Sequence, residues 1–340
     1  MSELEPWPQA PILASLPATA RLTPRFETDG LLADLQALRS TEWLPPQIIS
    51  GDGLRPGVKV DWRKLPLRSI GGDPERSDPG GPSLEEFADT PWLGKAPNFT
   101  RLLRRIPAPL RCVRLQSLGP GAASPLHNDT KYGLPWGIVR LHVPLITTPG
   151  ATLTIEQDVH CWQPGEFWYA DFTRPHLVSN SDDVTRVHLV IDCEPTPELL
   201  ELFPAEFRTR EVLDHTLLSL PVIPVSSADL ESYRCAFRLP DSFAEFDEAE
   251  GVFLDSPRSR TATVGGSDGQ LVLSLDGEPA FKLLHLGAGE FRFAGWTTER
   301  TIQFTRDAYG KPSVTLRSRV GDRTHALTLT AGPAGPAEHP

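Results

Sequence analysis

After Pro109 the spacing of apolar residues changes from helical to alternating, and this switch limits the folds open to the chain. Upstream, Leu31, Leu32, Leu35 and Leu38 follow a Thr28-Asp29-Gly30 cap at helical spacing. Leu102, Leu103 and Ile106 do the same in a second helix over Asn98–Ile106, with Arg101, Arg104 and Arg105 in solvent, and Pro107 and Pro109 end it. Downstream, CVRLQSLG, GIVRLHVPL, ATLTIEQD, GEFWYADF and TRVHLVIDC are short period-two runs split by Pro, Gly, Asn and Asp. They predict an all-β core over about residues 110–193.

The rest of the chain arranges itself around that core. Residues 1–25 lack periodicity and read as a strap; a strand is predicted around Val58–Trp62; IGGDPERSDPGGPS reads as an exposed loop, either a flap or a plain surface excursion. EPTPELLELFPAEF reads as a helix capped by Thr196 with Pro197 in its first position, opening a helical extension over 194–224. Residues 26–224 therefore form the larger domain. From about 225 to 332, GVFLD, RTATV, QLVLSL, AFKLLHL, EFRFAGW, TIQFTRD, SVTLRSR and HALTLT alternate with turns at Ser267-Asp268-Gly269, Asp276-Gly277 and Val320-Gly321-Asp322. These predict a small antiparallel barrel or sandwich without a motif that carries chemistry; homodimerisation is one role open to it. Residues 333–340 read as a disordered tail.

Composition excludes some functions. A net charge of −11 argues against a nucleic-acid partner. No apolar run approaches the roughly 18 residues of a membrane span, and the N-terminus lacks the basic and apolar regions of a secretion signal. Cys112, Cys161, Cys193 and Cys235 are scattered, as expected of free thiols in a cytoplasmic protein.

The β core carries a metal-binding pattern. On an extended strand His127 and Asp129, at i and i+2, face the same side. His176, distant in sequence, can complete a set of two imidazoles and one carboxylate, the open-sided ligand set of non-haem Fe(II) oxygenases. Asn180-Ser181-Asp182 is turn chemistry, and a hairpin there would set Arg186 opposite His176 on the neighbouring strand. A buried guanidinium needs an anion, and a dicarboxylate offers one with bidentate geometry; a structural ion pair is the alternative. Arg140 and His142 form a second i, i+2 pair, a candidate anchor for the other carboxylate.

These residues together resemble the aspartyl/asparaginyl β-hydroxylase family of Fe(II)/2-oxoglutarate-dependent oxygenases, which includes bacterial proline hydroxylases. The shared elements are Pro120-Gly121 before His127, Arg140-Leu141-His142, Gly165-Glu166-Phe167-Trp168-Tyr169-Ala170-Asp171 before His176, and Arg186-Val187-His188-Leu189-Val190-Ile191-Asp192. The match is good over about 100–193 and loose over 25–100. Asp129 sets the chain apart from eukaryotic protein-modifying members, which lack that carboxylate. Gln116 stands where bacterial members have a Ser that helps hold the distal carboxylate, and DTKYGLPWGIV looks longer than its counterpart.

The resemblance implies a mainly β protein with a double-stranded β-helix (jelly-roll, cupin-like) core. It implies Fe(II) on His127, Asp129 and His176. It also implies 2-oxoglutarate held by Arg186, Arg140, His142 and Gln116, and use of O2 with release of succinate and CO2. The expected reaction is hydroxylation of an unactivated C–H of a free, peptidyl or carrier-bound amino acid. A lipid- or sugar-directed hydroxylase of the same fold and a non-catalytic metal- or ligand-binding sensor are the competing readings; the intact triad and Arg186 oppose the sensor. Lys131, Tyr132 and Trp136, in the longer stretch, and His188, on the face of Arg186, are candidate substrate contacts. His160, His215, His285, His325 and His339 read as structural, and Trp162, Trp168 and Phe172 as core aromatics.

Overall fold

The structure, a computed structural model, describes residues 8–45, 61–267, 269–306 and 310–333. Most of the predicted Val58–Trp62 strand, the start of the strap, Asp268 of one predicted turn, and all but residue 333 of the tail lie outside the described residues. The chain divides into two compact units, residues 1–79 with 87–218 and residues 80–86 with 219–340.

The first unit contains β1 (Thr19–Arg25), β2 (Trp62–Ile70), β3 (Phe87–Asp89), β4 (Leu110–Leu118), β5 (Val139–Ile146), β6 (Ala151–Ile155), β7 (Asp158–His160), β8 (Glu166–Ala170), β9 (His176–Asn180) and β10 (Arg186–Cys193). Seven form an antiparallel sheet in the order β1-β8-β5-β10-β4-β2-β3, and β7-β6-β9 form a second. This is the double-stranded β-helix core expected from the sequence.

Alternation splits the large sheet into two chemically distinct faces. One presents Leu65, Leu67, Val113, Leu115, Leu141, Val143, Leu145, Phe167, Tyr169, Val187, Leu189 and Ile191, all buried in one core cluster. Short helices supply the other side of that cluster: α1 (Pro11–Ala14), α2 (Thr28–Ala37), α3 (Pro97–Leu103), α4 (Pro197–Leu200) and α5 (Arg210–Asp214). Each large aliphatic or aromatic side chain buried there contributes about 1.5–3 kcal/mol. The opposite face carries Trp62, Lys64, Arg114, Gln116, Arg140, His142, Trp168, Arg186, His188 and Asp192, brought side by side by the register.

Several local expectations are corrected. Residues 19–25 of the strap are an edge strand paired with β8. Thr28 lies inside α2, whose N-cap is Glu27 with no side-chain cap; the Asp34 carboxylate instead caps α3, accepting from the backbone N–H of Asn98 at 2.7 Å and of Phe99 at 2.9 Å. Thr196 caps α4 as expected, accepting from Leu199 N–H at 3.0 Å. The predicted exposed loop is partly buried at Ser77 and Gly81, and residues 80–86 belong to the second unit. There Ser83 donates to Ala294 O at 2.9 Å and Glu86 pairs with Arg292 at 3.0 Å.

The β9–β10 hairpin is also overturned. β9 pairs with β6 in the small sheet, whereas β10 lies between β4 and β5 in the large one. The turn chemistry at 180–182 serves a crossing between sheets. Asn180 Nδ2 pins it by donating to the carbonyls of Leu118, Gly119 and Val184 at 3.0, 3.1 and 2.9 Å. His176 and Arg186 thus project from different sheets.

The second unit contains α6 (Ser227–Ser232) and β11 (Cys235–Pro240), β12 (Ser259–Ser267), β13 (Gln270–Leu275), β14 (Glu278–Gly287), β15 (Glu290–Phe293), β16 (Arg300–Arg306), β17 (Pro312–Val320) and β18 (Arg323–Thr330). Each strand pairs antiparallel with the next, and Ala236 and Gly332 exchange hydrogen bonds of 3.0 and 2.9 Å across the ends, nearly closing a barrel. β11 is a strand that periodicity alone did not reveal. GVFLD, read as a strand, is instead a 3₁₀ turn over Val252–Asp255. Gly251, at φ 79°, starts it, and Phe253 inserts beside Phe243, ring centroids 5.0 Å apart, leaving Val252 and Leu254 exposed. Among the described residues no helix is long and apolar enough to cross a membrane.

Candidate active site

Residues 122–129 run beside β9, bridged to it at Ala123 and His127 with a bend at Leu126 between. His127 and His176 exchange backbone hydrogen bonds of 3.0 and 2.8 Å, and Asp129 N–H donates to Phe172 O at 2.8 Å. The i, i+2 geometry then converges: ligand atoms of His127, Asp129 and His176 all lie within 4.8 Å of one another. Each imidazole has its Nδ1 2.9 Å from a backbone carbonyl, Pro125 O for His127 and Arg174 O for His176. A carbonyl only accepts, so the proton sits on Nδ1 and the Nε2 lone pair is free for a metal. Burial drives His176 down to about 4, keeping it a neutral ligand at ordinary pH. Burial alone would raise Asp129, but Arg140, His176, His127 and Arg114 outweigh it and hold the carboxyl below its usual range. The donor set fits an Fe(II) ion with open positions.

A buried ionic network stands behind Asp129. Its Oδ2 is bonded by Arg140, whose Nε and other terminal nitrogen reach Asp192 at 2.7 and 3.1 Å. Asp192 also accepts from Arg114 at 2.8 Å and Tyr132 Oη at 3.1 Å, and the Arg140 guanidinium lies 3.8 Å from the Tyr132 ring centroid. Burial would raise the Asp192 carboxyl, but Arg114 and Arg140 outweigh it and keep it well below its usual range. The premise that Arg140 awaits an exogenous anion is therefore corrected: Asp129 and Asp192 already supply two.

Arg186 differs. Its side chain is 4% exposed, and among the described residues it has no carboxylate partner. Its one hydrogen bond runs 2.9 Å to His188 Nδ1. Burial lowers its pKa to about 10 with no opposing charge. A guanidinium only donates, so His188 Nδ1 accepts and its proton lies on Nε2. His142 Nδ1 lies 3.4 Å from the same His188 atom, leaving His142 Nε2 as an acceptor. Burial, then Arg186, pushes both imidazoles well below their ordinary value, so both are neutral. His142 Nε2, His188 Nε2 and Trp162 Nε1 are buried without a hydrogen-bond partner. A cluster of unsatisfied groups around an unpaired cation fits a bound carboxylate.

The remaining predicted residues fall into two groups. Gln116 is buried and lies in register between His188 and Lys64. Lys131, Tyr132 and Trp136 are all buried, Tyr132 committed to Asp192 and Lys131 in left-handed backbone at φ 61°. The aromatics are corrected: Trp162, Trp168 and Phe172 are not part of the apolar core cluster but surround the polar face. Trp162 stacks on Trp168 with centroids 5.2 Å apart, and Phe172 lies 5.2 Å from His142 and 4.8 Å from His176. Gly165 of the Gly-Glu element has a structural reason: at φ 76°, a Cβ there would lie 2.2 Å from Phe26 O.

Sequence reasoning missed Lys64 and Arg114. Arg114 and Gln116 on β4 form the same i, i+2 polar pair as Arg140 with His142 and Arg186 with His188. Applying that rule to β4 would have found them. Trp62 and Lys64 on β2 repeat the pattern.

Residues 30–196 match a family model described as aspartyl/asparaginyl beta-hydroxylase. No curated protein matches the chain. Similar solved structures include a 2OG-Fe(II) oxygenase family oxidoreductase from Burkholderia pseudomallei, 14% identical, covering 52% of this chain and 84% of that one at a TM-score of 0.36. A Pseudomonas putida prolyl-4-hydroxylase is 14% identical over 54% of this chain and 95% of its own, at a TM-score of 0.34. A Trichoplax adhaerens prolyl hydroxylase, in complex with a hypoxia inducible factor peptide fragment, is 14% identical over 54% and 86%, at a TM-score of 0.33.

Proposed function

Because residues 30–196 belong to the aspartyl/asparaginyl β-hydroxylase family of Fe(II)/2-oxoglutarate-dependent oxygenases, we propose that this enzyme hydroxylates an unactivated C–H bond of an amino acid, free, peptidyl or carrier-bound. In this reading His127, Asp129 and His176 hold Fe(II), and Arg186 holds the distal carboxylate of 2-oxoglutarate. The metal and cosubstrate supply the oxidising chemistry with O2, releasing succinate and CO2. The protein's own part is positional. Backbone carbonyls fix the tautomers of both ligand imidazoles, and Arg140 orients the Asp129 carboxylate. Neutral His142 and His188 leave Arg186 as the cation facing the cosubstrate, while Phe172, Trp162 and Trp168 keep the site dry.

The single observation that carries this reading is the buried Arg186 guanidinium, which has no counter-ion among the described residues. Free thiols at all four cysteines support a reducing, cytoplasmic setting. The test is succinate release from Fe(II), 2-oxoglutarate and O2 in the presence of amino acids and short peptides, with mass spectrometry of the amine pool. The expected result is substrate-stimulated succinate with one oxygen added to the substrate, lost in Arg186→Met. Absence of 2-oxoglutarate binding in the wild-type, metal-loaded protein would overturn the assignment.

A further inference from the structure

Lys64 is a second cation of the polar face, and neither metal nor cosubstrate binding makes use of it. It stands on β2 in register with Gln116, its Nζ 5.7 Å from the Trp62 ring centroid. That ring in turn lies 6.4 Å from the imidazole of His127. Among the described residues the half-buried ammonium forms neither an ion pair nor a hydrogen bond through its side chain.

The charge balance around it is one-sided. Lys64, Arg114, Arg140 and Arg186 share this face with Asp129 and Asp192, and both carboxylates are engaged by Arg140 or Arg114. Glu166, further along β8, is taken by Arg21 at 3.3 Å and by Trp168 Nε1 at 2.9 Å. Burial, then Arg114 and Arg140, lowers the Lys64 pKa to about 8, which leaves the group mostly charged at neutral pH and short of an anion. Once 2-oxoglutarate pairs with Arg186, Lys64 is left as an uncompensated cation of this face among the described residues.

We infer that Lys64 binds the carboxylate of the substrate, whose carbon skeleton lies against Trp62 next to His127. The inference rests on the oxygenase reading of this site. The chemistry selects the ligand class. One ammonium is a compact point charge with three donors and suits a monoanionic carboxylate. Trp62, its ring 6.4 Å from the His127 imidazole, provides apolar surface for the attached hydrocarbon. A substrate held by its own carboxylate is a free acid or a chain-terminal residue, so an internal peptide residue, whose carboxyl is an amide, is disfavoured.

The test uses the full chain loaded with Ni(II) and 2-oxoglutarate, titrated calorimetrically with free L-amino acids and their carboxamides. At least one acid should bind, with its amide about ten- to a hundredfold weaker, the value of one charge-assisted hydrogen bond. Lys64→Met should bring the acid down to the level of the amide, Lys64→Arg should recover part of the loss, and neither should change 2-oxoglutarate affinity. An amide that binds as well as its acid, unchanged acid binding in Lys64→Met, the lack of any acid ligand, or a fall in 2-oxoglutarate affinity instead would each overturn the proposal. Failure of the wild type to take up 2-oxoglutarate would overturn the oxygenase reading and this inference with it.

Discussion

Arg186→Met should make the metal-free protein more stable while removing its affinity for 2-oxoglutarate. In the folded chain the guanidinium is buried with a neutral imidazole as its partner, and burial alone takes its pKa from 12.5 to about 10. At 1.36 kcal/mol for each tenfold change in proton affinity, holding this charge inside costs about 3 kcal/mol. The side chain is too buried for solvent to screen that cost away. Methionine removes the charge and fills similar volume, but it leaves His188 Nδ1 without its 2.9 Å donor, a loss of about 1–3 kcal/mol. The net gain is about 1 kcal/mol, or a rise of roughly 2–4 °C in melting temperature for a unit of this size. The assay is urea denaturation followed by tryptophan fluorescence, with and without 2-oxoglutarate on the Zn(II)-loaded protein. Wild type should gain about 2.7 kcal/mol at a ligand concentration one hundred times Kd, and Arg186→Met should gain none. Arg186→Lys keeps the charge and loses the fork, so it should retain the instability and bind weakly. A metal-free Arg186→Met protein destabilised by more than about 1 kcal/mol would refute the reasoning, because it would show that the protein itself satisfies the guanidinium.

The same polar face predicts two more outcomes. Asp192→Asn should lower Ni(II) affinity about ten- to a hundredfold, since Arg140 would then pull on Asp129 alone; unchanged affinity in a metal titration would remove Asp192 from the site. His142 and His188 have folded pKa values well below that of the unfolded chain. Below pH 6.5 the unfolded state therefore takes up protons that the fold refuses, so stability is full above that pH and falls as pH drops. His176, which burial takes down to about 4, adds to the same effect, so from pH 7.5 to 5.5 the metal-free protein should lose about 4 kcal/mol, about a third of it recovered in His188→Asn; a flat profile of denaturation midpoints across that range would refute it.

Periodicity and short spacing were the legible parts of the sequence. The period-two runs located the β core, and the i, i+2 rule put His127 and Asp129 together, their ligand atoms within 4.8 Å of each other. Neither could show which sheet each run joins. Asn180-Ser181-Asp182 has the chemistry of a hairpin and the role of a crossing, because three carbonyls distant in sequence or across the corner claim the Asn180 amide. Nor could spacing distinguish a cation that the protein pairs from one it leaves unpaired. Arg140 and Arg186 look equivalent as RxH elements, yet Asp192 is in register with Arg140, whereas Arg186 is in register with Leu118. One strand offset therefore separates a cation paired within the chain from one that has no carboxylate partner among the described residues. The same distinction explains why the aromatics were misjudged. Trp162, Trp168 and Phe172 have core composition, but their positions put them on the face where buried polar atoms lack partners. A fold that spends one sheet face on an apolar core can hold these unsatisfied groups on the other, and that face is where a ligand has the most to contribute.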